Sequence, residues 1–144
     1  MTLFAWPVRE VCRASPRTAC FSNLRQLGLA VSMYSGDFDD RAPLRDSWMD
    51  DVGPYVKNGL LFHCPTVEGL NLYGYALNAG VKRIDERYVH PNTTPLIYDS
   101  VNQARNASDL VTSLPEPGRH DGWDNMVYID GHAKSIRPSA GSAP

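Results

Sequence analysis

Along the first third of the chain the apolar positions fall on a helical period. Cys20, Leu24, Leu27, Val31 and Tyr34 recur at steps of four, three, four and three, a single stripe on one helix face. Leu29, Ala30 and Met33 widen that stripe. Ser15-Pro16 predicts its start, because serine caps a first turn and proline is tolerated at the first helical position. Gly36 and the acidic run Asp37-Phe38-Asp39-Asp40 predict its end. A helix over 16–35 is about 30 Å long at ~1.5 Å per residue. Residues 8–14 extend the pattern upstream, with Pro16 as a kink or a restart.

The pattern then changes. Pro43 breaks the chain, and Asp46-Ser47 opens a short helix through Trp48, Met49 and Val52. Gly53-Pro54 interrupts it and Asn58-Gly59 closes the segment. The apolar run Leu60-Leu61-Phe62 stops at Cys64-Pro65. Residues 73–77 and 95–98 read as strands, the second ending at Asp99. Residues 102–119 are polar, contain Pro115 and Pro117, and read as a surface loop. Asn125–Ile129 and His132–Ile136 flank Asp130-Gly131, which predicts a hairpin with a type I′ turn and positive φ at both turn residues. Residues 138–144 read as a disordered tail of small residues. Helices come first and strands follow, so the expected class is α+β, a long N-terminal helix packed on a small antiparallel sheet. Residues 1–137 form one domain in this reading, and no internal repeat is visible.

Composition changes this picture little. A chain of 144 residues with 42% hydrophobic and 21% charged positions suits one globular domain with a real core. The net charge of −2 and pI near 6.0 give no basic field for nucleic acid and no polybasic face for an anionic membrane. No window reaches the roughly 18 apolar residues of a membrane span. Met1–Pro7 is too short for the apolar core of a signal peptide with its flanks, so the chain as given is expected to be soluble.

Candidate chemistry centres on His120 and the Asp130-Gly131 pair. One reading makes them part of a metal or catalytic set with Asp99, Asp124 or His132; imidazole with carboxylates suits zinc or manganese, whereas calcium wants oxygen ligands only. Asp121, Asp124 and Asn125 offer oxygen donors nearby without a complete calcium pattern. The other reading is structural: Asp130-Gly131 serves the turn, and His120 fixes a loop against the hairpin. Cys20 and Cys64 either close a disulfide, worth roughly 3–4 kcal/mol for so long a loop, or lie as two buried thiols. Cys12 is two helical turns before Cys20 and cannot pair with it within one helix. His63 and His90 show no ligand spacing, and no nucleophile elbow, Cys–His signature or phosphate-binding glycine loop is present. The expectation is a protein that is not an enzyme, with no catalytic residue and no required cofactor. A soluble metal-binding module, or a metal-dependent hydrolase using His120 and Asp130 with a divalent ion such as calcium or zinc, is the alternative. Gly28 inside the helix is either tolerated or marks close approach of a neighbouring element.

Two blocks carry a family resemblance. The first is Arg17-Thr18-Ala19-Cys20-Phe21-Ser22-Asn23-Leu24-Arg25-Gln26-Leu27-Gly28-Leu29-Ala30, followed by Met33-Tyr34. The second is Arg119-His120 with nine residues before Asp130-Gly131-His132. With Trp48, Pro54-Tyr55-Val56, Phe62-His63-Cys64-Pro65, Tyr73-Gly74-Tyr75 and Asp99 between them in order, the chain resembles the H-x9-DG family of prepilin-type proteins, related to the major pseudopilin of type II secretion. The resemblance spans roughly residues 3–137. It implies a pilin-like fold and a structural or assembly subunit of a type II secretion or type IV pilus-like system. The implied partners are other pilin-like subunits, met through the N-terminal helix. The implied location is extracytoplasmic, at the periplasmic or extracellular face of a bacterial inner membrane. Residues 1–8, running into Arg9-Glu10, resemble the point where such a helix leaves the bilayer. The family's leader and membrane half-helix are expected to be missing from this chain.

Overall fold

A 22-residue helix, α1, runs Pro16–Asp37. Ser15 caps it as predicted: its Oγ accepts the backbone N–H of Thr18 at 3.2 Å. The computed structural model describes residues 15–85, 87 and 90–138. The predicted upstream extension over 8–14, the apolar segment 1–8, Cys12 and nearly all of the predicted tail lie outside the described residues. Cys20, Leu24, Leu27, Ala30 and Val31 form the buried face of α1. Leu24, Leu27 and Val31 are each fully buried, worth about 1.5–3 kcal/mol apiece. Leu29 and Met33 are 62% and 49% exposed, so the stripe is narrower than its sequence suggests. Tyr34 sits at its margin and stacks on Phe38, centroids 4.3 Å apart.

A short helix, α2 (Trp48–Val52), leads into a 3-10 turn over Gly53–Tyr55, and a second 3-10 turn takes the apolar run at Gly59–Phe62. The Trp48 indole is buried and donates to the carbonyl of Ala107 at 3.0 Å. The Met49 N–H donates to Asn106 Oδ1 at 2.8 Å. These two bonds fix α2 against the segment that precedes the sheet's edge.

Five strands follow: β1 (Tyr75–Asn78), β2 (Pro95–Asp99), β3 (Ser108–Asp109), β4 (Asp124–Tyr128) and β5 (Ala133–Ile136). They form one sheet in the order β3-β1-β2-β4-β5. Three pairings are antiparallel, with Tyr75 opposite Asp99, Tyr98 opposite Met126 and Asn125 opposite Ser135. β3 runs parallel to β1, in the segment predicted to be a loop. Two residues are too few to carry an alternating pattern.

The turns correct one expectation. Asp130-Gly131 is not a type I′ turn: only Gly131 has positive φ, at +88°. Gly131 donates to the carbonyl of Tyr128 and Tyr128 to that of His132, which makes Ile129-Asp130-Gly131 a three-residue loop with a left-handed glycine at its end. A hairpin turn with two positive φ values lies instead at Asp121 (55°) and Gly122 (86°). There His120 and Trp123 exchange backbone hydrogen bonds at 2.8 and 3.2 Å, a two-residue hairpin of the I′ kind.

α1 lies across one face of the sheet, over β4 and β2. Gly28 permits this closeness, since a Cβ there would fall 2.7 Å from Val127 Cγ2. The close approach open at this glycine is thus met by the domain's own sheet. The other face carries a smaller cluster of Ala76, Tyr98, Ala107 and Met126, covered by Val111 and Leu114. The beginning of α1 is held by the Trp123 ring, over which the guanidiniums of Arg17 and Arg137 lie at 4.4 and 4.6 Å. The Asn125 side-chain amide donates to the carbonyl of Arg17 at 3.1 Å. Among the described residues no helix is long and apolar enough to cross a membrane. The architecture is α+β and pilin-like: an N-terminal helix laid on a five-stranded, mostly antiparallel sheet.

Candidate functional site

α1 and three segments beneath it bring together Cys20, Cys64, Asp99 and His120. Cys20 stands on the buried stripe of α1, Cys64 follows the second 3-10 turn, Asp99 ends β2, and His120 opens the two-residue turn before β4. One ligand-type atom from each lies within 4.8 Å of all the others. Cys20 Sγ donates to Asp99 Oδ1 at 3.1 Å. His120 Nε2 is 3.2 Å from Asp99 Oδ2 and 3.8 Å from Cys64 Sγ. The residues are 0%, 1%, 0% and 4% exposed in the order Cys20, Cys64, Asp99, His120.

The surrounding chain holds each group in place. Cys64 donates its N–H to the carbonyl of Tyr73 at 2.7 Å, and its sulfur meets Thr66 Oγ1 at 3.1 Å. Gly74 keeps the space open: its φ is +91°, and a Cβ would fall 2.8 Å from Val67 Cγ2 and 3.1 Å from Cys64 Cβ. Asp99 Oδ2 accepts the backbone N–H of Asn125 at 2.7 Å. Arg119 brings the nearest positive charge. Its Nη1 donates to the carbonyl of Gly74 at 2.8 Å and lies 3.5 Å from Asp99 Oδ1, while its Nη2 donates to the carbonyl of Ser100.

Burial and mutual contact shape the ionisation of the cluster. Burial pushes the Cys20 thiol up, helped by Cys64 and Asp99. The neighbouring Cys20, His120 and Thr66 draw the Cys64 thiol down against its own burial. Burial pulls His120 down, but Asp99 and Cys64 more than offset this and push it up to about 9. Beside the cluster, burial raises Asp124 to about 6, opposed by the Arg119 N–H that its Oδ1 accepts at 2.8 Å. Among the described residues, two buried polar atoms, His120 Nδ1 and Asp124 Oδ2, have no hydrogen-bond partner.

The candidate residues named from sequence separate here. Asp99 and His120 stand together at the centre. Asp124 flanks the cluster through Arg119 and is not among its four converging side chains. Asp130 is elsewhere, in the β4–β5 loop, where its carboxylate meets His132 Nδ1 at 2.5 Å and holds its own proton less tightly than usual. Cys20 and Cys64 share the cluster, with no bond between their sulfurs. Their sulfurs are turned to Asp99, Thr66 and His120 instead of being joined. Sequence reading did not place the two cysteines in the same set as Asp99 and His120.

The geometry does not form a nucleophilic relay. Such a relay uses the two imidazole nitrogens for different neighbours, one for the nucleophile and one for the carboxylate. Here Nε2 faces both Cys64 and Asp99, and Nδ1 faces neither. A surface cleft of about 820 Å³ is lined by Ser32, Asp40, Ile84, Asp85, Arg87, Pro91, Ile129 and Asp130, and by none of the four cluster residues. Comparison of the chain with protein-family models, curated proteins and solved structures finds no match.

Proposed function

We propose that this chain is the globular domain of a pilin-like subunit, acting extracytoplasmically as a structural or assembly component of a type II secretion or type IV pilus-like system. The observation that carries this reading is the placement of α1. One face is fully committed to the sheet, while the opposite face still presents Leu29 and Met33 to the outside. An amphipathic helix needs one apolar face to hold its own domain. A second apolar strip on the same helix favours contact with helices of neighbouring subunits. The H-x9-DG pattern and the helical block around Cys20–Ala30 support the same reading. A non-catalytic role is part of the proposal: the buried cluster borders no substrate-sized cleft among those described, and its imidazole is not set for proton relay.

Photocrosslinking tests it. A benzophenone amino acid is placed at Leu29 or Met33 in the full-length protein, expressed in its native cells. Crosslinks to pilin-like subunits or to a second copy are expected from these two positions, and none from Lys134 on β5. A folded protein that crosslinks to nothing at either position overturns the proposal.

A further inference from the structure

We infer that Cys20, Cys64, Asp99 and His120 form a structural zinc site that locks α1 to the sheet. The donor set is the first argument. Two thiolates, an imidazole and a carboxylate are zinc ligands, and thiolates exclude calcium. Geometry is the second. Tetrahedral zinc with bonds of about 2.0–2.3 Å has ligand-to-ligand edges of about 3.3–3.8 Å. Contacts already in place are 3.1 Å from Cys20 Sγ to Asp99 Oδ1, 3.2 Å from Asp99 Oδ2 to His120 Nε2 and 3.8 Å from His120 Nε2 to Cys64 Sγ, and one donor atom from each residue lies within 4.8 Å of all the others. Shifts of up to about an ångström bring one donor from each residue to the zinc values.

Charge is the third argument. Two thiolates and one carboxylate leave a zinc ion one negative charge in excess, and the Arg119 guanidinium, 3.5 Å from Asp99, supplies the matching positive charge. The metal displaces the protons on the two sulfurs and on Nε2, which pass to solvent. An outer ring of donors is present as well: the Asn125 N–H on Asp99 and the Thr66 hydroxyl on Cys64. Four protein ligands with almost no solvent exposure close the coordination sphere, so the site is structural and not catalytic. Hydrogen bonding alone explains the cluster less well. Thiols are weak donors, and four ionisable side chains packed without solvent are costly unless something unites them. The ends of this tie are far apart in sequence, 79 positions between Cys20 and Asp99 and 56 between Cys64 and His120.

The test uses the whole 144-residue chain, kept reduced. Elemental analysis should find one zinc per chain. After chelation, titration with cobalt(II) should give the intense visible bands of a tetrahedral ion and a thiolate-to-cobalt charge-transfer band, both erased by zinc. Cys20→Ser and Cys64→Ser should each lose about half of the charge-transfer band, while Cys12→Ser and Asp130→Ala keep all of it. His120→Cys should gain about half as much again, a positive signal that a merely misfolded variant cannot produce. Weak octahedral cobalt spectra, or a charge-transfer band unchanged in both Cys20→Ser and Cys64→Ser, overturn the site. So does a Cys20–Cys64 disulfide, found by mass spectrometry in protein prepared with excess zinc.

Discussion

Gly28 lies in α1 directly above Val127 of β4, and its replacement by alanine sets two effects of opposite sign against each other. Helix propensity favours alanine by about 1 kcal/mol in a helix interior. Packing opposes it. The added methyl carbon would sit 2.7 Å from Val127 Cγ2 and 3.3 Å from Cγ1, whereas carbon atoms prefer about 3.5–4.0 Å. Val127 cannot easily yield, being fully buried and β-branched, with few rotamers to choose from. Overpacking of a filled core typically costs about 1–3 kcal/mol. Subtracting the propensity gain leaves a net loss of about 0–2 kcal/mol, centred near 1. Urea unfolding followed by circular dichroism, at fixed metal content, measures it through the midpoint at constant slope. In a Val127→Ala background the obstacle is gone, and Gly28→Ala should there stabilise by about 1 kcal/mol. The two backgrounds should therefore differ by about 2 kcal/mol of coupling. If Gly28→Ala stabilises both backgrounds equally, the helix does not rest on Val127 as described.

Two further perturbations probe the second face of the sheet and the turn that carries His120. Burial would raise the carboxyl of Asp109, but hydrogen bonds from Ser113, Tyr98 and the Thr112 N–H outweigh it and hold the group below its ordinary value. A depressed carboxyl stabilises the fold fully above its unfolded pKa of about 3.9, and that share is lost as pH falls through the lowered native value. Tyr98→Phe removes the 2.5 Å bond from the phenol to Asp109, so the variant should lose about 1 kcal/mol near neutrality, with the deficit shrinking below about pH 4. Urea midpoints across that range check it, and a deficit independent of pH counts against the pairing. Gly122→Ala meets no neighbour within 4 Å, yet its φ of +86° strains any L side chain, so about 1 kcal/mol should be lost in thermal melts. An unchanged melting temperature would mean that the turn is not left-handed at this position.

Periodicity made α1 legible because a helix face repeats every three or four residues, and Ser15-Pro16 marked its beginning to the residue. Its outer limits were harder to read. Leu29 and Met33 have the right chemistry for the core and the wrong angle around the axis. The chain holds two Asp-Gly pairs: Asp121-Gly122 adopts the double positive φ, whereas Asp130-Gly131 sits in a three-residue loop. No alternating run flanks the first copy on both sides, so the signal around it was weak. β3 is invisible in sequence because a two-residue strand exists only through its partner. The cluster was half legible. Asp99 and His120 were candidates for one site and Cys20 with Cys64 for another, but that the two pairs coincide depends on how β2 and the His120 turn meet beneath α1. Separations of that length carry no local pattern.

The margins of the sheet have a consequence for association. On one side the ladder ends with β3, two residues long and parallel to its neighbour. On the other, among the described residues, it ends with the four-residue β5, which carries exposed Lys134 and is followed by Arg137-Pro138. Neither margin is a long flat row of free amides and carbonyls onto which another strand can add. Short margins give another strand little to pair with, so among the described residues the sheet offers crowded copies of this domain only a small area for stacking by strand addition.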